Sequence, residues 1–140
     1  MNKIINTLLL ATLIAAAGCT KDKEEPVSTK AEAVAEAFEG NWIITYFAEE
    51  KDETEIFKDY VFSFKGDGTL RLSKGSESYS GAWQDISENN GKTILSIRIN
   101  TINIVQRLTD DWQVVSFTDD AMQLNDVSTA RNKVMHLARL

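Results

Sequence analysis

Cys19 is the only thiol in the chain and His136 the only imidazole. A transition-metal site takes several nitrogen or sulfur ligands, and His136 has no cysteine or second histidine to join it, so no metal site and no cofactor is expected. Ser73, Ser76, Ser78, Ser80 and Ser87 are plentiful. A serine nucleophile, however, needs a base and an oxyanion hole, and no motif links any of them to His136. Glu49, Glu50, Asp52, Glu53 and Glu55 form an acidic run that could hold a hard cation through oxygens. It lacks the regular spacing and the glycine of a calcium loop and reads as a solvated loop. Asp67, between two glycines, reads as turn chemistry. No pair of carboxylates stands out for glycosidic chemistry. No catalytic constellation is present, and no enzyme activity is expected.

The thiol of Cys19 gains meaning from what precedes it. Lys3 is followed by a run from Ile4 to Ala17 that is apolar apart from Asn6, Thr7 and Thr12, and the run ends in Ala16-Ala17-Gly18. A charged start, an apolar middle and a small-residue end make the pattern of an export signal. The run is shorter than the roughly 20 apolar residues that span a bilayer; a retained signal anchor is the alternative. Leu13-Ile14-Ala15-Ala16-Ala17-Gly18-Cys19 resembles the lipobox of bacterial lipoproteins, with Ala16 where leucine is usual. That resemblance implies a diacylglyceryl group on the Cys19 thiol, cleavage before Cys19 and acylation of the new amino terminus. Each buried methylene contributes ~0.8 kcal/mol and stable anchoring takes more than one chain, which such a group supplies.

These features divide the chain into a signal peptide over 1–18, a lipid-anchored tether over 19–30 and one domain over 31–140. The tether is charged, carries the only proline, Pro26, and has Val27 as its one larger apolar residue, so it reads as a solvated linker. Lysine followed by acidic residues just after the cysteine resembles the surface-export signal of Bacteroidota lipoproteins; an ordinary hydrophilic spacer fits equally. The expected location is a bacterial cell envelope, at the outer membrane, with the membrane as partner through acylated Cys19.

Lys3 is the only charge before residue 19, so 14 of the 15 basic residues remain against 21 acidic ones, a net −7. Phosphate binding wants a basic face, so a nucleic-acid partner is not expected. With one cysteine there is no internal disulfide, and stability must come from a core.

Ala31 to Glu39 is rich in helix formers, with Ser28 or Thr29 as cap and Gly40 as stop. From Asn41 the period changes from helical to two. Trp42, Ile44 and Tyr46 share one strand face; Tyr60, Phe62 and Phe64 share another. Lys65-Gly66-Asp67-Gly68 makes a tight hairpin, followed by strands over 69–73 and 77–84. Asn89-Asn90-Gly91 is a second hairpin signal before a strand over 93–99. Residues 100–108 fit either a helical turn or a continuing strand. Further strands cover 112–117, 121–125 and 133–139. Roughly eight short antiparallel strands with tight turns predict an all-β barrel or sandwich.

Gly40-Asn41-Trp42 resembles the Gly-x-Trp that opens the first barrel strand of lipocalins, and Arg139 stands where that family sets an arginine against the tryptophan. More narrowly, the chain is similar to small lipocalin-like domains of Bacteroidota lipoproteins, through Phe62-Ser63-Phe64 with Gly66-Asp67-Gly68-Thr69, Gly81-Ala82-Trp83, and Trp112-Gln113-Val114 before Met122-Gln123-Leu124. The resemblance implies an up-and-down barrel closed by Trp42 and Arg139. A small apolar ligand would sit near Gly81, walled by Phe64, Tyr79 and Trp83. An eight-stranded barrel is just wide enough to be filled by side chains or to hold one small ligand. The sequence therefore leaves two readings open, a binding module and a filled accessory component of an envelope complex.

Overall fold

A computed structural model describes residues 36–140 apart from 88, 89 and 129. The signal peptide, Cys19, the tether and the first part of the expected helix lie outside the described residues. Nine strands follow: β1 Gly40–Glu49, β2 Lys51–Asp52, β3 Val61–Phe64, β4 Thr69–Lys74, β5 Glu77–Ser87, β6 Thr93–Ile99, β7 Asp110–Phe117, β8 Ala121–Asp126 and β9 Val134–Arg139. From β3 to β9 each pairs antiparallel with the next, and β1 pairs with both β3 and β9. Eight strands thus close into an up-and-down barrel. β2 is a two-residue edge folded back on the end of β1. It and the helical turn Thr54–Phe57 occupy the stretch that the sequence reads as an acidic loop.

Alternation does most of the work. Phe62, Phe64, Leu70 and Leu72 are fully buried, and they face one another as Phe62↔Leu72 and Phe64↔Leu70. The hairpin between them is set by Asp67, whose Oδ1 accepts from the Thr69 N–H at 2.9 Å, and by Gly68 at φ +82°. That conformation is closed to most side chains.

Two bulges break the period. The β1–β9 register shifts between Ile44 and Tyr46, and the β7–β8 register between Val114 and Ser116. An extra residue in a strand moves every later side chain to the opposite face. The expectation that Tyr46 shares the face of Trp42 is corrected accordingly: Phe47 is fully buried, while Tyr46 lies against His136 with ring centroids 5.1 Å apart. On β7 the same device leaves Val115 53% exposed and packs Phe117 on the core. Residues 100–108 hold a 3₁₀ turn over Ile104–Leu108, capped by Asn103, whose Oδ1 accepts from the Ile104 N–H. Val105 and Leu108 of that turn are buried.

Candidate functional site

The barrel is closed where β1 begins. Residues 36–38 are helical, and the Trp42 indole N–H donates to the Phe38 carbonyl at 2.9 Å. Trp42 and Arg139 are register partners, and the guanidinium lies 4.1 Å from the indole centroid. Arg139 also donates to the carbonyls of Ala37 and Glu39, at 2.7 and 2.6 Å. One side chain thereby stacks on the tryptophan and satisfies the carbonyl end of the helix. Gly40 makes room for it, since a Cβ there would sit 2.7 Å from Arg139 Nη1. The closure expected from Gly-x-Trp and the final arginine is observed.

The opposite end of the barrel is closed in the same manner, by residues that sequence reasoning did not single out. The Trp112 N–H donates to the Leu108 carbonyl at 3.1 Å. Lys133 Nζ stands 5.2 Å from the Trp112 ring centroid, donates to the Arg107 carbonyl at 3.1 Å and pairs with Asp110 at 2.5 Å. Lys133 is 1% exposed. Phe57, from the turn Thr54–Phe57, is buried beside Phe47 with centroids 4.5 Å apart. Asn103 ahead of an apolar pair, and Asp52 two residues before Thr54, were the available signals for these caps. Asp52 Oδ1 accepts from the Thr54 N–H at 2.9 Å.

Around this mouth the side chains form polar clusters. Arg107 donates through Nε and Nη2 to Glu49 and through Nη2 to Glu53. The hydrogen bonds to Glu53 and then Glu49 hold its guanidinium above its ordinary pKa. Glu77 Oε2 accepts from Tyr60 at 3.0 Å and from Tyr79 at 3.2 Å, and the Asn103 amide donates to the Tyr79 oxygen at 2.7 Å. Burial, followed by the Glu77 contact, pushes the Tyr60 phenol up to about 12.

Of the residues expected to wall a ligand pocket, Phe64 and Trp83 are brought together while Tyr79 lies with Tyr60 and Glu77 at the mouth, and all three are engaged. Phe64 and Trp83 meet edge to face at 5.4 Å, and the Trp83 N–H donates to the Lys65 carbonyl at 2.8 Å. Tyr79 is committed to Glu77 and Asn103. Gly81 pairs with Leu70 on one side and Ile99 on the other. What approaches its backbone is the carbonyl of Arg98, 2.2 Å from where a Cβ would lie. Two open clefts lie elsewhere, at the mouth. One, of about 600 Å³, is lined by Ile102, Ile104, Gln106, Arg107 and Arg131 among others. The other, of about 630 Å³, runs along Tyr46 and residues 51–56. The Arg107–Glu53 pair stands between them, with one partner in each lining. Among the described residues no cluster of histidine, cysteine and carboxylates is placed to hold a metal ion.

No family model matches the chain, and no curated protein matches it. Among solved structures, the chain is similar to a crystal structure of a DUF4847 family protein from Bacteroides vulgatus ATCC 8482. The TM-score is 0.55 at 14% identity, over 76% of this chain and 97% of the other. At that identity the likeness is one of fold.

Proposed function

We propose that this protein is a lipid-anchored module of a bacterial envelope, held through Cys19. It serves as an accessory or binding component through the outside of its barrel, without enzymatic chemistry and without a ligand inside. The observation that carries this reading is that rings from non-neighbouring strands meet across the interior. Trp42 of β1 lies 6.0 Å from Phe117 of β7, and Phe47 of β1 lies 6.5 Å from Trp112 of β7. Phe38 adds contacts to Phe117 at 4.9 Å and Trp83 at 6.3 Å. Space that a ligand would need is taken by side chains, and both ends are capped. The lipobox resemblance supports the anchor, and the charged tether supports presentation of the barrel away from the bilayer at the outer membrane of a Bacteroidota cell.

The test is native mass spectrometry of protein purified in mild detergent from its own host, alongside a Cys19→Ser variant. The reading expects an acylated mature chain with no small molecule retained at stoichiometric ratio, and an unprocessed or soluble variant. A retained apolar molecule would favour a carrier. Partition of the wild-type chain into the aqueous phase of a detergent separation would remove the anchor.

A further inference from the structure

The cleft beside the 3₁₀ turn stands out in a chain of 21 acidic and 15 basic residues. Its lining holds two guanidiniums, of Arg107 and Arg131, and no carboxylate. The acids near it are already committed: Glu49 and Glu53 pair with Arg107, and Asp110 pairs with Lys133. Those pairs use Nε and Nη2 of Arg107. Its Nη1, and the whole guanidinium of Arg131, make no hydrogen bond or ion pair within the described residues. Beside these donors Ile102 is fully exposed and Ile104 is 41% exposed. Arg131, which has no carboxylate partner among the described residues, the unused Nη1 edge of Arg107 and bare aliphatic surface lie side by side in one concavity, and they are complementary to a molecule that is anionic at one end and aliphatic at the other.

We propose that this cleft binds an anionic amphiphile. A carboxylate or phosphate head is held by Arg131 and Arg107 Nη1, and the aliphatic chain lies on Ile102 and Ile104. The exposed amide of Gln106 adds a neutral donor at the head. The site is outside the barrel wall, so it stands or falls independently of whether the interior is filled. Two sources have this chemistry: a free short-chain amphiphile, or an anionic lipid of the membrane to which the protein is tethered.

The test uses the full chain as produced, carried in phosphatidylcholine nanodiscs and labelled at isoleucine δ-methyls for NMR. Hexanoate is titrated against hexyltrimethylammonium, which has the same chain and the opposite head. In a separate arm phosphatidylglycerol replaces part of the disc lipid. The proposal expects saturable shifts at Ile102 and Ile104 with hexanoate and none with the cation. Arg131→Ala should weaken binding about tenfold, the loss of one charge-assisted contact, and Ile102→Asn should weaken it without unfolding the chain. Shifts with hexanoate in the phosphatidylcholine disc identify a free amphiphile; shifts with phosphatidylglycerol alone identify a lipid headgroup. Equal response to the two heads, shifts confined to core isoleucines, or an unchanged Arg131→Ala affinity would overturn the proposal.

Discussion

Trp42 and Trp112 stand in the same relation to opposite ends of the barrel. Each is the third residue of its strand, and β1 and β7 run antiparallel through three antiparallel pairings. Each indole N–H donates to the carbonyl four residues earlier, which closes a helical turn. Each ring carries a cation, Arg139 or Lys133: Arg139 is the last residue of β9 and Lys133 the residue just before its first. Three residues on, each strand has its bulge, and five residues on, a phenylalanine turns inward to meet the other tryptophan.

Because the two caps are built alike, their removal should cost alike. Trp42→Ala and Trp112→Ala are each expected to lose about 3–5 kcal/mol, the range for a buried large aromatic. Phenylalanine at either site should lose about 1 kcal/mol for the N–H bond. Arg139→Ala should cost less than Trp42→Ala, through lost stacking and stem packing. Denaturant unfolding measures all of these, and a Trp112→Ala cost below about 1 kcal/mol would show that the mouth is not a cap of the same kind.

Lys133 is a buried cation with one carboxylate partner. Lys133→Met leaves Asp110, whose side chain is 23% exposed, without its cation and should cost about 1–3 kcal/mol, less than breaking a fully buried pair. Adding Asp110→Asn should recover part of that loss. A double-mutant cycle with no coupling would contradict the pairing.

Gly81→Ala is expected to destabilise the barrel by about 1–3 kcal/mol, as overpacking does. The added Cβ meets the Arg98 carbonyl oxygen at 2.2 Å and its carbon at 3.1 Å, and backbone cannot rotate aside. The β5–β6 pairing must part locally, and faster amide exchange at Arg98 and Ile99 would record it. An unchanged melting temperature would return Gly81 to the ligand-site reading.

Tyr60 should titrate late. Its folded value of about 12 exceeds the ordinary 10.0, so between those values the unfolded chain loses a proton that the folded chain keeps. The resulting stability is complete below pH ~10 and is lost as pH rises toward ~12. Absorbance at 295 nm should show a lagging tyrosine, and Glu77→Gln should bring it down. Tyr60 titrating at the ordinary 10.0 would contradict the part-buried Glu77 contact.

Much of the barrel was legible because strand alternation and the Asp67-Gly68 turn are local signals. Trp42 and Arg139 were legible through topology, since an up-and-down barrel sets the end of its last strand beside the start of its first. The bulges at Thr45 and Val115 were not, because nothing in Thr45-Tyr46-Phe47 states which aromatic turns inward. Lys133 was hidden by its type: a lysine at the head of the last strand reads as solvated until a tryptophan face and a carboxylate are found beside it. Gly81 gave a correct signal of close approach, but sequence alone does not distinguish an approaching ligand from the Arg98 carbonyl. The Thr54–Phe57 cap was missed, and Ile104–Leu108 was left open between a helical turn and a strand, because both are too short to show a helical period.

The interior is most directly tested by crystals pressurised with xenon, which enters dry apolar cavities large enough to hold it. A barrel filled by Trp42, Phe47, Phe117, Trp112 and their neighbours predicts no xenon site within the wall. A xenon atom among Phe64, Leu70 and Trp83 would contradict the filled barrel and restore an internal ligand site.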